Sequence, residues 1–221
     1  MFKFFDRYDA GRRLAKKLTS YTNSDSVVLA LPRGGVLVGH EIATRLHIPL
    51  DIVITRKIGH PLNKEVAICA ITEDGRRVCD DGGLFGLDEA WVQNESAIAM
   101  GEALRRRHIF GASKTIPITG KTVIVTDDGI ATGLTMKAAL LTIHAQKPKK
   151  VVLAIPIAPH EILKEMRSQV DEMVVLDTGK DYQGAVGAYY TNFPEVYDKE
   201  VIACLQSTKV APKKLLVPMF A

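Results

Sequence analysis

The run Thr122-Val123-Ile124-Val125-Thr126-Asp127-Asp128-Gly129-Ile130-Ala131-Thr132-Gly133-Leu134-Thr135 decides how this chain is read. Its first five residues are apolar or β-branched, a short run that suits a buried strand. Two carboxylates then leave the strand end together. A turn of small residues follows, and Leu134 to Ala145 continues with helical spacing. Such a turn presents unpaired backbone N–H groups and two hydroxyls at a helix N-terminus, where the amides and the helix dipole favour a phosphate. Asp127 and Asp128 beside it suit hydrogen bonds from sugar hydroxyls and could hold a hydrated Mg²⁺. A lone G-x-x-G would be read as a tight turn with Asp as helix cap. Two acids, A-T-G and a second threonine in one run are far more restrictive.

Outward from this run, strands and helices alternate. Residues 6–20 have helical spacing, Val27 to Leu31 forms a continuous apolar run, and Val36 to Leu46 suits a helix. Ile52, Val53 and Ile54 make a second short strand. Arg56 to Glu65 is polar and carries Gly59, Pro61 and Asn63, which predicts an exposed loop. Val66–Thr72 and Arg76–Cys79 flank Asp74-Gly75 as a hairpin. Asp88 to Phe110 is a long helix with Asp88 as its cap. Val151–Ile155 and Met173–Leu176 are further strands, with a short helix over Glu161 to Arg167 between them. This alternation predicts a largely parallel sheet covered on both faces, with ligands beyond the carboxyl ends of the strands. The loops after Leu31, Ile54, Thr126 and Ile155 are therefore the ones where a site would form.

Two of those loops carry chemistry. After Leu31 comes Pro32-Arg33-Gly34-Gly35: the glycines permit close backbone approach to a ligand, and Arg33 offers a fork of donors to phosphate oxygens. After Ile54 come Arg56 and Lys57, able to reach an anion from a strand end, with the polar remainder free to close over it. Arg105 and Arg106 on the long helix read either as a basic surface stripe or as a contribution to the site, from this chain or a neighbouring subunit. The Gly- and Tyr-rich stretch from Asp181 to Tyr190 offers rings that either stack on a base or pack as core.

Composition excludes more than it selects. The 221 residues hold 29 basic and 25 acidic side chains, for a net charge of +4, with 47% hydrophobic and 24% charged residues. No run approaches a membrane span, and charges near the N-terminus interrupt any signal-peptide core, so a cytoplasmic protein is expected. Cys69, Cys79 and Cys204 are few and widely spaced, which implies neither a disulfide framework nor a metal site. Basic clusters at 147–150 and 213–214 lack interleaved aromatics, so nucleic acid is not expected as a partner. A Walker A loop, a zinc-protease helix and a G-x-S-x-G elbow are each broken or missing.

The segment V-I-V-T-D-D-G-I-A-T-G-L-T resembles the signature of the type I phosphoribosyltransferases, over about thirteen residues. Beyond it, most of the chain is similar to a group of phosphoribosyltransferases of unsettled substrate. The resemblance implies a Rossmann-like α/β fold, a parallel twisted sheet flanked by helices. It would form a single domain with a core of about residues 22–180 and a small hood from about 1–20 and 181–221. It also implies transfer of the 5-phosphoribosyl group of phosphoribosyl pyrophosphate (PRPP) to a base or amine, in nucleotide salvage. In that scheme Asp127 and Asp128 contact the ribose hydroxyls and Mg²⁺, directly or through water. Ala131, Thr132, Gly133, Leu134 and Thr135 wrap the 5-phosphate, while Arg33, Gly34, Gly35, Arg56 and Lys57 bind pyrophosphate. Asp127, Asp128 and Arg33 form the catalytic set, and a homodimer is the expected assembly. Ala131 stands where hypoxanthine- and guanine-using relatives carry an acid, which argues against that acceptor class without choosing another. The rivals are a non-catalytic PRPP- or nucleotide-sensing regulator and a sugar-phosphate hydrolase on the same scaffold.

Overall fold

A computed structural model of the chain describes residues 3–112, 114–179 and 182–208. In chain order these form α1 (Arg7–Lys17), β1 (Ser26–Ala30), α2 (Gly34–Leu46), β2 (Leu50–Ile52), β3 (Thr55–His60), β4 (Asn63–Thr72) and β5 (Arg77–Cys79). Then follow α3 (Asp81–Leu84), α4 (Glu89–Ile109), β6 (Thr122–Thr126), α5 (Leu134–Ala145), β7 (Lys150–Ile157), α6 (His160–Met166), β8 (Glu172–Asp177) and α7 (Asp198–Ser207). No helix among the described residues is long and apolar enough to cross a membrane.

The main sheet is five-stranded and parallel, in the order β2-β1-β6-β7-β8. Its strands are buried on both faces, which is why their sequences are continuously apolar rather than alternating. The pleat still sorts them. Val28, Ile124 and Val152 face a core shared with α1, α2 and α7, whereas Leu29, Val123, Val125 and Leu153 face α5 and α6. Both layers that the alternation predicts are present, in the arrangement that the resemblance to type I phosphoribosyltransferases implies. Because β1 and β6 pair in register, Ala30 against Thr126, their carboxyl ends are adjacent. The Leu31 N–H donates to the Thr126 carbonyl at 3.0 Å, so the Pro32–Gly35 and Asp127–Gly133 loops start side by side.

The second sheet, β3-β4-β5, is antiparallel and corrects two expectations. Arg56–Glu65 is not a loop: Thr55–His60 pairs with β4 from Thr55↔Thr72 to His60↔Asn63, leaving only Pro61-Leu62 as the turn. The stretch hid as a loop because the first four residues of β4 are exposed and its polar side chains face solvent. Gly59 marks a register irregularity where a Cβ would stand 2.3 Å from the Lys64 carbonyl oxygen, so the strands meet there only because that side chain is absent. The Asp74-Gly75 hairpin is as expected, with Gly75 at φ +84°. It brings Cys69 and Cys79 directly opposite one another, and they are joined by a disulfide. Their ten-residue spacing carries no cysteine motif; strand register alone makes them partners.

The terminal segments pair with each other. The Phe4 N–H donates to Tyr189 O at 2.9 Å, and Thr191 N–H donates to Phe4 O at 2.8 Å. Phe4, Tyr189 and Tyr190 are buried against Ile157, so these aromatic rings are core rather than an open stacking surface. Of the C-terminal segment, Asp181 and residues 209–221, with Lys213 and Lys214, lie outside the described residues. The short helices α3 and α7 were not anticipated. α7 carries Val201, Cys204 and Leu205 at i, i+3, i+4 spacing against α2, a pattern present in the sequence but only three residues strong.

Candidate active site

A cavity of about 390 Å³ opens at the carboxyl ends of β1 and β6. Its wall joins the acid pair Asp127 and Asp128 to the turn Gly129–Gly133 and to Arg56, Lys57 and Arg106. Of the β6 loop that the sequence points to, Asp127 to Gly133 and Thr135 line this one hollow, with α5 starting at the turn.

The turn is shaped by two glycines. Gly133 sits at φ +80° as the N-cap of α5, and a Cβ there would also press on Met166 at 2.8 Å. At Gly129 a Cβ would meet Val186 at 2.5 Å. Ala131 and Thr132 are exposed at the cavity mouth and Thr135 is half-buried, so their amides and hydroxyls are open to a ligand. Leu134 differs: its side chain is buried against Ala70 and Ala138, and only its backbone remains at the helix start.

The acid pair is unevenly neutralised. Arg7 from α1 donates its Nε–H to Asp128 Oδ2 at 2.7 Å and its NH1 to Pro194 O at 2.7 Å, while its guanidinium lies 3.6 Å from the Phe193 ring centre. Tyr190 donates its hydroxyl to the Asp128 carbonyl at 2.5 Å. Asp127 has no such arginine; its Oδ1 accepts the Asp128 N–H at 2.8 Å. Burial therefore pushes the Asp127 carboxyl well above the ordinary range, with the negative charge of Asp128 adding to it and Lys57 only partly opposing. Burial raises Asp128 as well, but Arg7 pulls it back. The two aspartates thus differ in proton affinity for a visible reason.

Gly34 and Gly35 are explained by this pair. A Cβ on Gly34 would lie 1.9 Å from Asp128 Oδ2, and one on Gly35 would lie 2.7 Å from Asp127 Cα. The loop packs its bare backbone directly on the two acids, and neither glycine lines the cavity. Arg33 departs further from expectation. It follows a cis peptide bond after Pro32, and its guanidinium turns to Glu195 at 2.8 Å and Asp198 at 3.7 Å, away from the cavity wall.

Three consecutive arginines on α4 have three separate fates. Arg105 is exposed and pairs with Glu102 at 2.7 Å. Arg106 shares Glu102 at 3.1 Å and reaches the cavity wall, so the surface-stripe reading fails for this one residue. Arg107 is buried, donating to both Glu73 oxygens at 2.5 and 2.7 Å, to Ala112 O at 3.0 Å and to Ile52 O of β2, which ties α4 to the main sheet. Glu102, held by Arg105 and then Arg106, sits at about 2. Arg56 has the opposite environment: burial, then Arg106, lower its pKa. Arg7 is not singled out by the sequence, and Tyr190 enters only as one ring of the 181–190 stretch. Arg7 is one of several charges on an ordinary helix, and Tyr190 is one tyrosine of a core cluster; only contact with Asp128 distinguishes them.

The sequence pattern of the phosphoribosyl transferase domain matches residues 5–191. This chain belongs to that family. Two curated proteins of Mycobacterium tuberculosis, each bearing the name "Putative phosphoribosyl transferase", are 43% identical to it over 205 residues. That match covers 91% of this chain and 46% of theirs, so the chain spans about half the length of those family members. The crystal structure of TT1426 from Thermus thermophilus superposes with a TM-score of 0.77 at 37% identity, covering 93% of this chain and 99% of that one. Family membership fits the acid pair and small-residue turn just described.

Proposed function

We propose that the chain transfers the 5-phosphoribosyl group of PRPP to a nitrogen of a base or amine, releasing pyrophosphate. One observation carries the reading: a single cavity wall combines an acid pair, a helix-capping small-residue turn and the cations Arg56, Lys57 and Arg106. The turn Ala131–Thr135 receives the 5-phosphate through amides at the start of α5. Asp127 and Asp128 accept hydrogen bonds from the ribose diol, which sets C1 toward the cationic wall.

In the reaction the C1–O bond to pyrophosphate breaks as a C1–N bond forms on the opposite face, with inversion. The electron pair of the broken bond leaves with pyrophosphate, and the acceptor nitrogen loses its proton to solvent or to that leaving group. Positive charge develops on the ribose beside the acid pair, and negative charge develops beside Arg56, Lys57 and Arg106. Fixed charges aimed at both ends of the breaking bond lower the barrier without a covalent enzyme intermediate. Arg33 joins them by releasing Glu195 and Asp198, exposed pairs worth only about 0–1 kcal/mol.

The donor set also suits Mg²⁺. Among the described residues no group of three or more His, Cys, Asp or Glu gathers to hold a metal alone. Asp127 and Asp128 offer one or two hard oxygens with one carboxylate uncompensated, the usual protein share of a magnesium site completed by substrate oxygens and water. When bound, the ion supplies positive charge to the pyrophosphate oxygens. A homodimer acting in the cytoplasm belongs to the same proposal and rests on the family resemblance alone.

Calorimetric titration with PRPP, with and without Mg²⁺, tests the reading on wild type and on Asp127→Asn/Asp128→Asn. Magnesium-dependent binding that the double variant lacks is expected, followed by pyrophosphate release with one member of a panel of bases. A folded wild type that ignores PRPP would refute the proposal.

A further inference from the structure

A second cavity of about 460 Å³ lies between the β3–β4 hairpin and α4, within the roughly 300–1,000 Å³ of small-molecule sites. Three kinds of group line it. Trp91, the only tryptophan of the chain, is half-buried: it packs behind against the cluster holding Cys69 and Ile71 and contributes to the cavity wall. A ring fixed on one side in this way is a ready stacking platform. Ile98, which lines the same cavity, is 59% exposed, apolar area that nothing among the described residues covers. The third group is cationic: Arg56, Lys57 and Lys64 line the same cavity, and none of them makes an ion pair among the described residues.

The charge count settles what the cavity attracts. Of its two carboxylates, Glu102 is already held by Arg105 and Arg106, which leaves Glu95 against three cations. Arg56 is partly buried and lies near Arg106, with Glu102 only partly offsetting the repulsion, so an anion placed there replaces lost hydration as well as adding attraction. A flat apolar surface next to unpaired cations fits a planar ring carrying phosphate.

We propose that this cavity binds a nucleoside monophosphate, its base on Trp91 and its phosphate on Lys64 with Arg56 and Lys57. The site is separate from the acid-pair cavity and does not depend on the transfer reaction. The two are nevertheless coupled, because Arg56 and Lys57 line both walls. Phosphate in one draws on cations that the other uses, so PRPP and the nucleotide weaken each other's binding by the same factor. The hairpin thereby makes the reaction cavity sensitive to nucleotide concentration.

The lone tryptophan supplies its own probe. Titrating the full chain with AMP should quench Trp91 fluorescence in a saturable curve. Lys64→Glu, which alters only the second cavity, should weaken that curve by about fivefold or more while leaving PRPP binding unchanged. Adenosine, lacking phosphate, and ribose 5-phosphate, lacking a ring, should each quench far less. Added PRPP should shift the AMP curve to higher concentration. Absence of quenching at millimolar AMP overturns the proposal. So does quenching that Lys64→Glu leaves intact and Asp127→Asn/Asp128→Asn abolishes, since AMP would then occupy the phosphate cavity. Equal quenching by adenosine would remove the phosphate contact on which the assignment rests. Failure of PRPP to bind would remove the transferase reading and the coupling to it, while the nucleotide site would still stand or fall on AMP and Lys64, which are tested without PRPP.

Discussion

Asp127→Asn should make the protein more stable while removing PRPP binding. Asp127 is a half-buried carboxyl lining the cavity beside a second carboxylate, and the hydrogen bond it accepts from the Asp128 N–H at 2.8 Å needs only Oδ1. Asparagine keeps that acceptor, removes the charge and places amide donors next to Asp128. Relieving one like-charge contact at the edge of a wet cavity is worth roughly 1–2 kcal/mol. For a chain of this size each kcal/mol moves Tm by about 2–4 °C, so a rise of about 2–8 °C is expected at neutral pH. The pH dependence fixes the cause. A carboxyl whose folded pKa is raised favours the fold below its unfolded value of about 3.9, and that advantage is lost as pH rises through the folded pKa. Wild type should therefore lose stability between about pH 4 and neutrality in a way the variant does not, and the two melting curves should converge in acid. Scanning calorimetry across that range, with chelator and without ligand, makes the comparison. Asp128→Asn supplies the opposite sign, because Arg7, buried and bonded to Oδ2 at 2.7 Å, then loses its carboxylate. A variant Asp127→Asn that melts at or below wild type at neutral pH, or a gap that does not shrink in acid, would refute this account. Confirmation would mean that the site is kept at a cost to stability.

Three further outcomes follow from single contacts. Arg107→Met strands Glu73 and Asp51 in the interior and should cost about 3–5 kcal/mol, read as a fall in the urea midpoint with little change in slope. Gly34→Ala places a methyl group where Asp128 Oδ2 now stands, so it should lose about 1–3 kcal/mol and most PRPP binding, whereas Gly101→Ala, with open space around it, should lose neither. Reduction of Cys69–Cys79 should lower stability by up to about 3 kcal/mol, and Cys79→Ser should reproduce that loss and become indifferent to reductant.

The sequence alone determined the parallel sheet and the phosphate-type turn. Both depend on neighbours in the chain: the apolar runs around Val28, Ile124 and Val152 are buried on both faces, and Asp127 to Thr135 is a continuous segment whose turn leads straight into the start of α5. What depended on distant residues was not legible. The polar run from Arg56 to Glu65 became a hairpin because β4, α4 and α5 support it, and strand pairing there made partners of Cys69 and Cys79. Arg105, Arg106 and Arg107 are indistinguishable as letters; helical rotation of about 100° per residue sent them to solvent, cavity and core. Arg33 stands just beyond β1, yet its guanidinium goes to Glu195 and Asp198, more than 160 residues away. Arg7 met Asp128 across a separation of 121 residues. Local sequence sets backbone conformation and which faces are apolar, whereas the partner of a buried charge is chosen by whatever the folded chain brings within about 3 Å, and only the tertiary structure decides that.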